Sequence, residues 1–283
     1  MSNIATLYIV ATPIGNLGDM SPRAVETLRT VAVIAAEDTR HSRVLFNHFA
    51  IQTPCVALHE HNESQMTEAL TARLAGGESV ALISDAGTPL ISDPGFRLVR
   101  AAQEAGFKTV PIPGPSAVIA ALSVSGLPSD RFAFEGFLPA KSAARRQALE
   151  RLKGETRTLI FYESPHRIRA TLEDMGSVFG GQRRAVLARE LTKLYETVLN
   201  DDLSGLSERL ARDPDQLRGE MVVLVHGAEI MTADERSIRT VLEPLVEELP
   251  LKQAVALTAR ITGVSRNAVY DLALRLRAES DEP

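Results

Sequence analysis

The sequence predicts an α/β protein of two α/β domains with a small helical region at its C-terminal end. Three observations carry that expectation. Short apolar runs alternate with helical patterns through the first part of the chain. A second series of apolar runs follows a stiff proline turn, and the tail then passes from an acidic to a basic segment with helical periodicity.

Thr6–Ala11 (TLYIVA), Val31–Ala36 (VAVIAA) and Ser79–Ile83 (SVALI) are short, apolar and largely β-branched, as buried strands are. Helical patterns occupy Ser21–Arg29, Thr67–Leu74 and Phe96–Ala105. Strand, helix, strand at this spacing predicts βαβ units and a parallel sheet. Phe107–Val110 is a fourth predicted strand, leading into the rigid turn Pro111–Pro115 (PIPGP). In the second unit, strands are predicted at Arg131–Phe137, Arg157–Tyr162, Arg184–Ala188 and Glu220–Val225, with a helix at Pro165–Phe179. The expected division is 1–114, 115–230 and 231–283.

In the tail, Glu229–Glu248 carries Glu229, Asp234, Glu235, Glu243, Glu247 and Glu248 against Arg236 and Arg239. Leu251–Arg277 reverses the sign, with Lys252, Arg260, Arg266, Arg275 and Arg277 against Asp271. Helices are predicted at Leu251–Ile261 and Ser265–Arg277 around Thr262-Gly263-Val264, with Ser265 as an N-cap. The pattern is that of a helix-turn-helix. A packing appendage with a solvated basic face accounts for it equally well.

With 283 residues, 45% hydrophobic and 24% charged, the chain has ample material for buried cores. It has no tryptophan and 5% aromatics, so Val, Ile, Leu and Ala do most of the packing. A net charge of −5 supplies no overall basic field, so contact with a nucleic acid depends on local patches. One is the segment Pro139–Lys153, with Lys141, Arg145, Arg146, Arg151 and Lys153 against Glu150. A solvated helix face explains those charges almost as well. Cys55 is the only cysteine and cannot form an intramolecular disulfide or a Cys-cluster zinc site, which fits a reducing cytoplasm. There is no basic-then-apolar leader and no run of about 18 apolar residues, so a soluble protein without membrane contact is expected.

Five loops carry the chemistry. Ala11–Asp19 (ATPIGNLGD) follows the first strand, and Gly15 and Gly18 suit it to close ligand approach, though it is neither a dinucleotide fingerprint nor a Walker A loop. Ser84–Gly95 (SDAGTPLISDPG) follows the third strand, where open α/β sheets bind ligands, and is longer than a simple connection requires. Asp85 is suited to accept hydrogen bonds from a ribose or an amino group. Pro113–Ala117 (PGPSA) leads into a helix whose first amides near Ser116 suit a ligand, or it is a stiff interdomain hinge. Phe161–Arg167 (FYESPHR) and Ala188–Lys193 (ARELTK) place ionisable groups directly after strands, as substrate binding or proton handling requires. His59-Glu60-His61 offers two histidines without a third spaced ligand, so no metal is predicted.

Taken in order with AAEDTRHS, LHEHNE, GLPSDRFAFEGFLPAK and GEMV, these motifs resemble the tetrapyrrole methylase superfamily over nearly the whole chain. The resemblance is closer to the branch that methylates the ribose 2′-hydroxyl of a cytidine in 16S ribosomal RNA of the small subunit. Thr12–Asn16 stands where the tetrapyrrole-modifying branch usually has a Gly-x-Gly-Pro-Gly-like loop. The resemblance implies a cleft between the two α/β domains holding S-adenosylmethionine, and a homodimer. Its cofactor contacts fall on Pro13, Asp85, Thr88, Ser116 and Ala117, then on Tyr162, Glu163 and Met221. A ribose hydroxyl is a poor acid, so a base or a nearby cation would assist its methylation. Candidates are Glu37, Asp38, His41, His166, Glu190 and Lys193. Each has a structural alternative, with Glu37 and Asp38 capping the next helix and His166 opening one. Two other readings stay open: methylation of a tetrapyrrole, and a non-catalytic nucleic-acid-binding regulator built on the tail.

Overall fold

In the computed structural model of the protein, residues 5–228 and 235–280 are described. The chain divides after Ala228 into two compact units. The expected limit between residues 230 and 231, together with Glu229 and Asp234, lies outside the described residues.

The first unit opens with β1 (Thr6–Val10), α1 (Pro22–Thr30), β2 (Val33–Ala36), α2 (Thr39–His48), β3 (Cys55–Ala57), α3 (Glu63–Ala75), β4 (Val80–Ile83), α4 (Phe96–Glu104) and β5 (Lys108–Ile112). Its five strands make one sheet in the order β3-β2-β4-β1-β5, parallel throughout, as the βαβ spacing predicts. Helices cover both faces, which is why the strands read as unbroken apolar runs. Ile34, Ala36, Ala81 and Ile83 pack with Leu28 of α1 and Phe46 of α2. Val33, Ala35, Val80 and Leu82 pack on the other face with Leu70, Leu74 and Leu98 of α3 and α4. Ser21 caps α1, its side chain accepting from the Ala24 amide at 3.1 Å, and Pro22 opens the helix.

The chain continues as α5 (Ala117–Ser125), β6 (Phe132–Phe137), α6 (Ser142–Leu152), β7 (Thr158–Glu163), α7 (Ile168–Phe179), β8 (Arg184–Arg189), β9 (Thr197–Asp202), α8 (Leu203–Arg212) and β10 (Met221–Val225). The second sheet has the order β6-β7-β10-β8-β9. Only β6 and β7 are parallel; the β7–β10, β10–β8 and β8–β9 pairs are antiparallel. Its side chains alternate between two cores, as the strand period of two requires. Leu159, Phe161, Leu187 and Val223 meet Leu149, Leu172 and Leu206 from α6, α7 and α8. Ile160, Val186, Val222 and Leu224 meet Val118 and Leu122 of α5, together with Ile14 from the loop after β1. Ile14 thus ties a loop of the first sheet into the core of the second.

Two sequence expectations are corrected in this half. The helix expected from Pro165 starts at Ile168, because the Ser164 carbonyl accepts from the amides of both Arg167 and Ile168 at 3.1 Å and closes a turn first. The basic cluster of Pro139–Lys153 is not a continuous phosphate-facing surface. Arg145 is 3% exposed and its guanidinium pairs with Asp174 of α7 at 2.7 Å, where Ser142 also donates at 3.0 Å. A carboxylate buried between α6 and α7 needs that cation, so Arg145 serves packing.

The second unit is three helices, α9 (Glu235–Glu248), α10 (Leu251–Thr262) and α11 (Arg266–Ser280), around Leu242, Ala254, Val269, Leu272 and Ala273. Ser265 is the expected cap, its hydroxyl accepting from the Ala268 amide at 3.3 Å. Among the described residues no helix is long and apolar enough to cross a membrane.

Candidate active site

The loops at the C-terminal ends of β1, β2, β4 and β5 are stitched into one rim. Thr12 and Gly87 exchange both backbone hydrogen bonds, at 2.9 and 3.0 Å, and the Thr12 hydroxyl donates to the Ser84 carbonyl at 3.3 Å. The Asp38 amide donates to the Asp85 carboxylate at 3.0 Å, while the Glu37 carboxylate accepts from the Asp85 amide. Thr88 donates to the Pro115 carbonyl at 3.0 Å, which fixes the PGPSA turn to the long loop.

The second sheet supplies the facing wall through its antiparallel pairing. Met221 at the start of β10 pairs with Glu163 at the end of β7 and with Arg189 at the end of β8. Residues far apart in the chain therefore meet at one edge. The Glu190 amide donates to the Glu220 carbonyl at 2.9 Å, and the Glu220 amide donates to the Glu190 carboxylate at 2.9 Å. Lys193 then bridges both, its ammonium 2.9 Å from Glu190 and 3.0 Å from Glu220. Its aliphatic stem lies against Gly15 so closely that a Cβ there would overlap Cγ of Lys193. Gly219 has φ +86°, and a Cβ on it would overlap the Glu190 side chain. Glu190, Thr192, Leu90 and Ser92 hold φ of 51°, 65°, 74° and 70°. Left-handed backbone at non-glycine residues is costly and collects where function demands a fixed shape.

Two cavities open along this seam, and Ile14, Ala86 and Glu220 line both. One, of about 310 Å³, is lined by Thr88, Asp93, Ser116, Ala117, Phe137, Tyr162, Glu163, Leu191 and Met221 among others. The Tyr162 ring lies edge-on to Phe134 at 4.8 Å and tilted to Phe137 at 5.5 Å. The other, of about 370 Å³, is lined by Pro13, Gly15, His41, Ser42, Val44, Ser84, Asp85 and Lys193 among others. Apolar walls with a few convergent polar groups are the usual make-up of small-molecule sites.

The electrostatics differ across the seam. Burial, then the charges of Asp93 and Asp85, raise the Glu37 carboxyl above its ordinary range. Burial, with Asp85 adding to it, pushes Asp93 up to about 6 against a hydrogen bond from Ser84. Burial, with Asp93 nearby, pushes Tyr162 up to about 12. Burial would raise Glu190 too, but hydrogen bonds from Lys193 and the Glu220 amide outweigh it and hold this carboxyl below its ordinary range. Lys193 is held above its own range, as its two carboxylates outweigh its burial.

Of the cofactor contacts expected from the sequence, Thr88, Ser116, Ala117, Tyr162, Glu163 and Met221 share the smaller cavity, while Pro13 and Asp85 line the larger. Glu163 is 3% exposed and accepts from Thr171, Arg167 and the Ser164 amide, so most of its capacity is spent within the fold. Among the catalytic candidates, Lys193 lines the larger cavity and Glu190 is bonded to it. Glu37 latches the Asp85 loop, and Asp38 caps α2 by accepting from the Arg40 amide at 2.8 Å. His41 lines the larger cavity; His166 is exposed in the turn before α7 and lines neither. Asp93 and Glu220 also line the cavities, although their local sequence does not single them out. Asp93 lies within the quoted SDAGTPLISDPG motif, but nothing local distinguishes it from Asp85; Glu220 opens GEMV, and its role depends on Lys193 from another strand. Among the described residues no group of three or more His, Cys, Asp and Glu is placed to hold a metal ion, and the His59 and His61 rings are 6.0 Å apart between centroids.

A family described as tetrapyrrole (corrin/porphyrin) methylases matches residues 6–207, and one described as the RsmI C-terminal HTH domain matches residues 232–277. The chain is 58% identical over 279 residues to ribosomal RNA small subunit methyltransferase I of Pseudomonas aeruginosa, covering 97% of this chain and 99% of that protein. It is 54% identical over 270 residues to the protein of the same name in Escherichia coli O157:H7, covering 95% and 94%. The chain belongs to the ribosomal RNA small subunit methyltransferase I family. Solved structures place this family member in the tetrapyrrole methylase fold. Diphthine synthase aligns with a TM-score of 0.60 at 18% identity, over 79% of this chain and 90% of that one. Uroporphyrin-III-C-methyltransferase from Thermus thermophilus aligns at 0.54 and 20% identity, over 78% and 94%.

Proposed function

We propose that the protein is an S-adenosylmethionine-dependent methyltransferase acting on the ribose 2′-hydroxyl of a cytidine in 16S ribosomal RNA of the small subunit, as a cytoplasmic homodimer. The observation that carries the reading is the pair of abutting cavities, one suited to a cofactor and the other to its acceptor. The smaller cavity fits S-adenosylmethionine in chemistry: aromatic rings at Phe137 and Tyr162 for a purine, Thr88 and Ser116 for polar groups, and Asp93 for a cationic centre. When bound, that cofactor supplies a methyl group already activated on sulfur.

The chain's own work is to place the hydroxyl and receive its proton. Lys193 spends two of its three donors on Glu190 and Glu220, leaving one for an acceptor oxygen in the larger cavity. Two carboxylates already offset its charge, so it orients the hydroxyl more than it acidifies it. The carboxylates that line the acceptor's cavity, Asp85 and Glu220, are the ones suited to accept the proton, while Asp93 lines the cofactor's cavity and answers its cationic centre. Glu37, through Asp85, keeps this rim in place.

The test is transfer of radiolabel from S-adenosylmethionine to small ribosomal subunits from cells lacking this enzyme, with the product mapped. Label on one cytidine 2′-oxygen is the expected result. Cofactor binding without label on subunits or naked rRNA, and with label on a tetrapyrrole instead, would overturn it in favour of the small-molecule reading.

A further inference from the structure

Helix α2 forms one lip of the larger cavity. His41, Ser42, Val44 and Leu45 line that cavity. The helix reads TRHSRVLFNH and holds no acidic residue, in a chain whose net charge is −5. Arg40, His41, Arg43 and His48 are exposed along it. The Arg40 side chain is 88% exposed and leans back on the capping Asp38 at 3.1 Å, whereas Arg43 makes no ion pair among the described residues. Arg40 and Arg43 stand about 4.5 Å apart along the helix axis, at 1.5 Å per residue, and both side chains reach into solvent. The basic segment favoured by sequence for this task, on α6, has lost Arg145 to Asp174.

A ribose hydroxyl brought into this recessed cavity requires its nucleotide to be splayed out of the strand, so the backbone on either side must cross the cavity lip. Phosphodiesters crossing a lip are held by cations and repelled by acids, and α2 is the cavity-lining helix that offers the first without the second. We propose that the exposed face of α2 is the docking edge for the RNA backbone flanking the acceptor nucleotide, with Arg43 as its principal phosphate contact. The proposal rests on the RNA reading above. Val44, exposed on the same helix and lining the cavity, gives the ribose an apolar contact at the lip.

The full-length protein carrying Arg43→Glu is compared with the unaltered protein and with Arg212→Glu, a reversal of the same charge at an exposed position of α8. The readouts are affinity for a small-subunit RNA fragment across a salt series, cofactor affinity, and kcat at saturating subunits. Arg43→Glu is expected to weaken RNA binding about 5–10-fold near 0.1 M salt and to flatten the salt slope by about 1. Cofactor affinity and kcat stay as they were, and Arg43→Lys restores most of the binding. The same affinity and slope as Arg212→Glu would overturn the proposal. So would a change in sedimentation with the slope intact, which would make this face a contact between copies of the chain. Failure of the unaltered protein to label any RNA is seen before a variant is made and removes the functional reading itself.

Discussion

On the first sheet's side of the cleft, Glu37, Asp85 and Asp93 crowd one another with no ion pair to any of them among the described residues. On the second sheet's side, Glu163 lies against Arg167 at 3.2 Å, and Glu190 and Glu220 share Lys193. In the first group, Glu37 and Asp93 are pushed up by burial and by neighbouring carboxylates; in the second, Glu190 is held down by its hydrogen bonds from Lys193 and the Glu220 amide. Topology produces this contrast. In a parallel sheet every strand delivers its loop to the same end, so the loops after β2 and β4 bring their acids together. In the antiparallel β7–β10–β8 arrangement, chain ends and beginnings alternate along one edge, and acids there meet bases from neighbouring segments. The first wall concentrates carboxylates without a cation among the described residues, and the second pairs them with one.

The contrast can be broken in three ways. The largest effect is expected from Arg145→Ala, which strands buried Asp174 behind the second sheet and costs about 3–5 kcal/mol of stability. Denaturant unfolding measures that loss, while activity per folded molecule stays constant. A loss below 1 kcal/mol would mean that pairing in this half is not structural. Next, Lys193→Met leaves Glu190 and Glu220 facing each other at the cavity wall. A fall in kcat of about 10²-fold is expected with cofactor affinity unchanged, because positioning groups of this kind act on the reacting geometry. An equal loss of cofactor binding would move Lys193 to the other cavity's task.

The smallest effect tests the first wall. Asp93 has an ordinary value of 3.8 and is raised to about 6 in the folded protein. Between those values the folded state holds the proton more tightly, so stability falls as pH rises through that window and the cost is complete above it. Asp93→Asn is therefore expected to stabilise the protein at pH 7.5 by about 0.5–2 kcal/mol after solvent screening, and to lose the advantage below about pH 4. It should also weaken cofactor binding, since the smaller cavity loses a carboxylate. A stability gain independent of pH would show that Asp93 is not strained by its charge.

Much of this was legible locally. TLYIVA and SVALI announced buried parallel strands, and the motif loops sat where such strands end. β9 (TVLNDD) was not legible, since its pattern is polar and half-buried and it exists by pairing with β8. β3 is three residues long, too short for any periodicity. Helix α9 carries Pro244 inside it, a residue that argues against a helix until packing around Leu242 outweighs it. Pro165 drew the expected start of α7 too early, for Pro is at home in a first helical turn and equally in the turn before one.

The sequence by itself determined the α/β class, the family and the loops that line the two cavities, because these depend on short-range patterns: apolar period, turn chemistry and motif order. Only the tertiary structure decided that Lys193 joins Glu190 to Glu220 across Gly15, that Arg145 is spent on Asp174, and that Asp93 stands beside Asp85 and Glu37. Each of those depends on the register and direction of strands distant in the chain. No local periodicity encodes them, and they are settled when both faces of each sheet are buried at once.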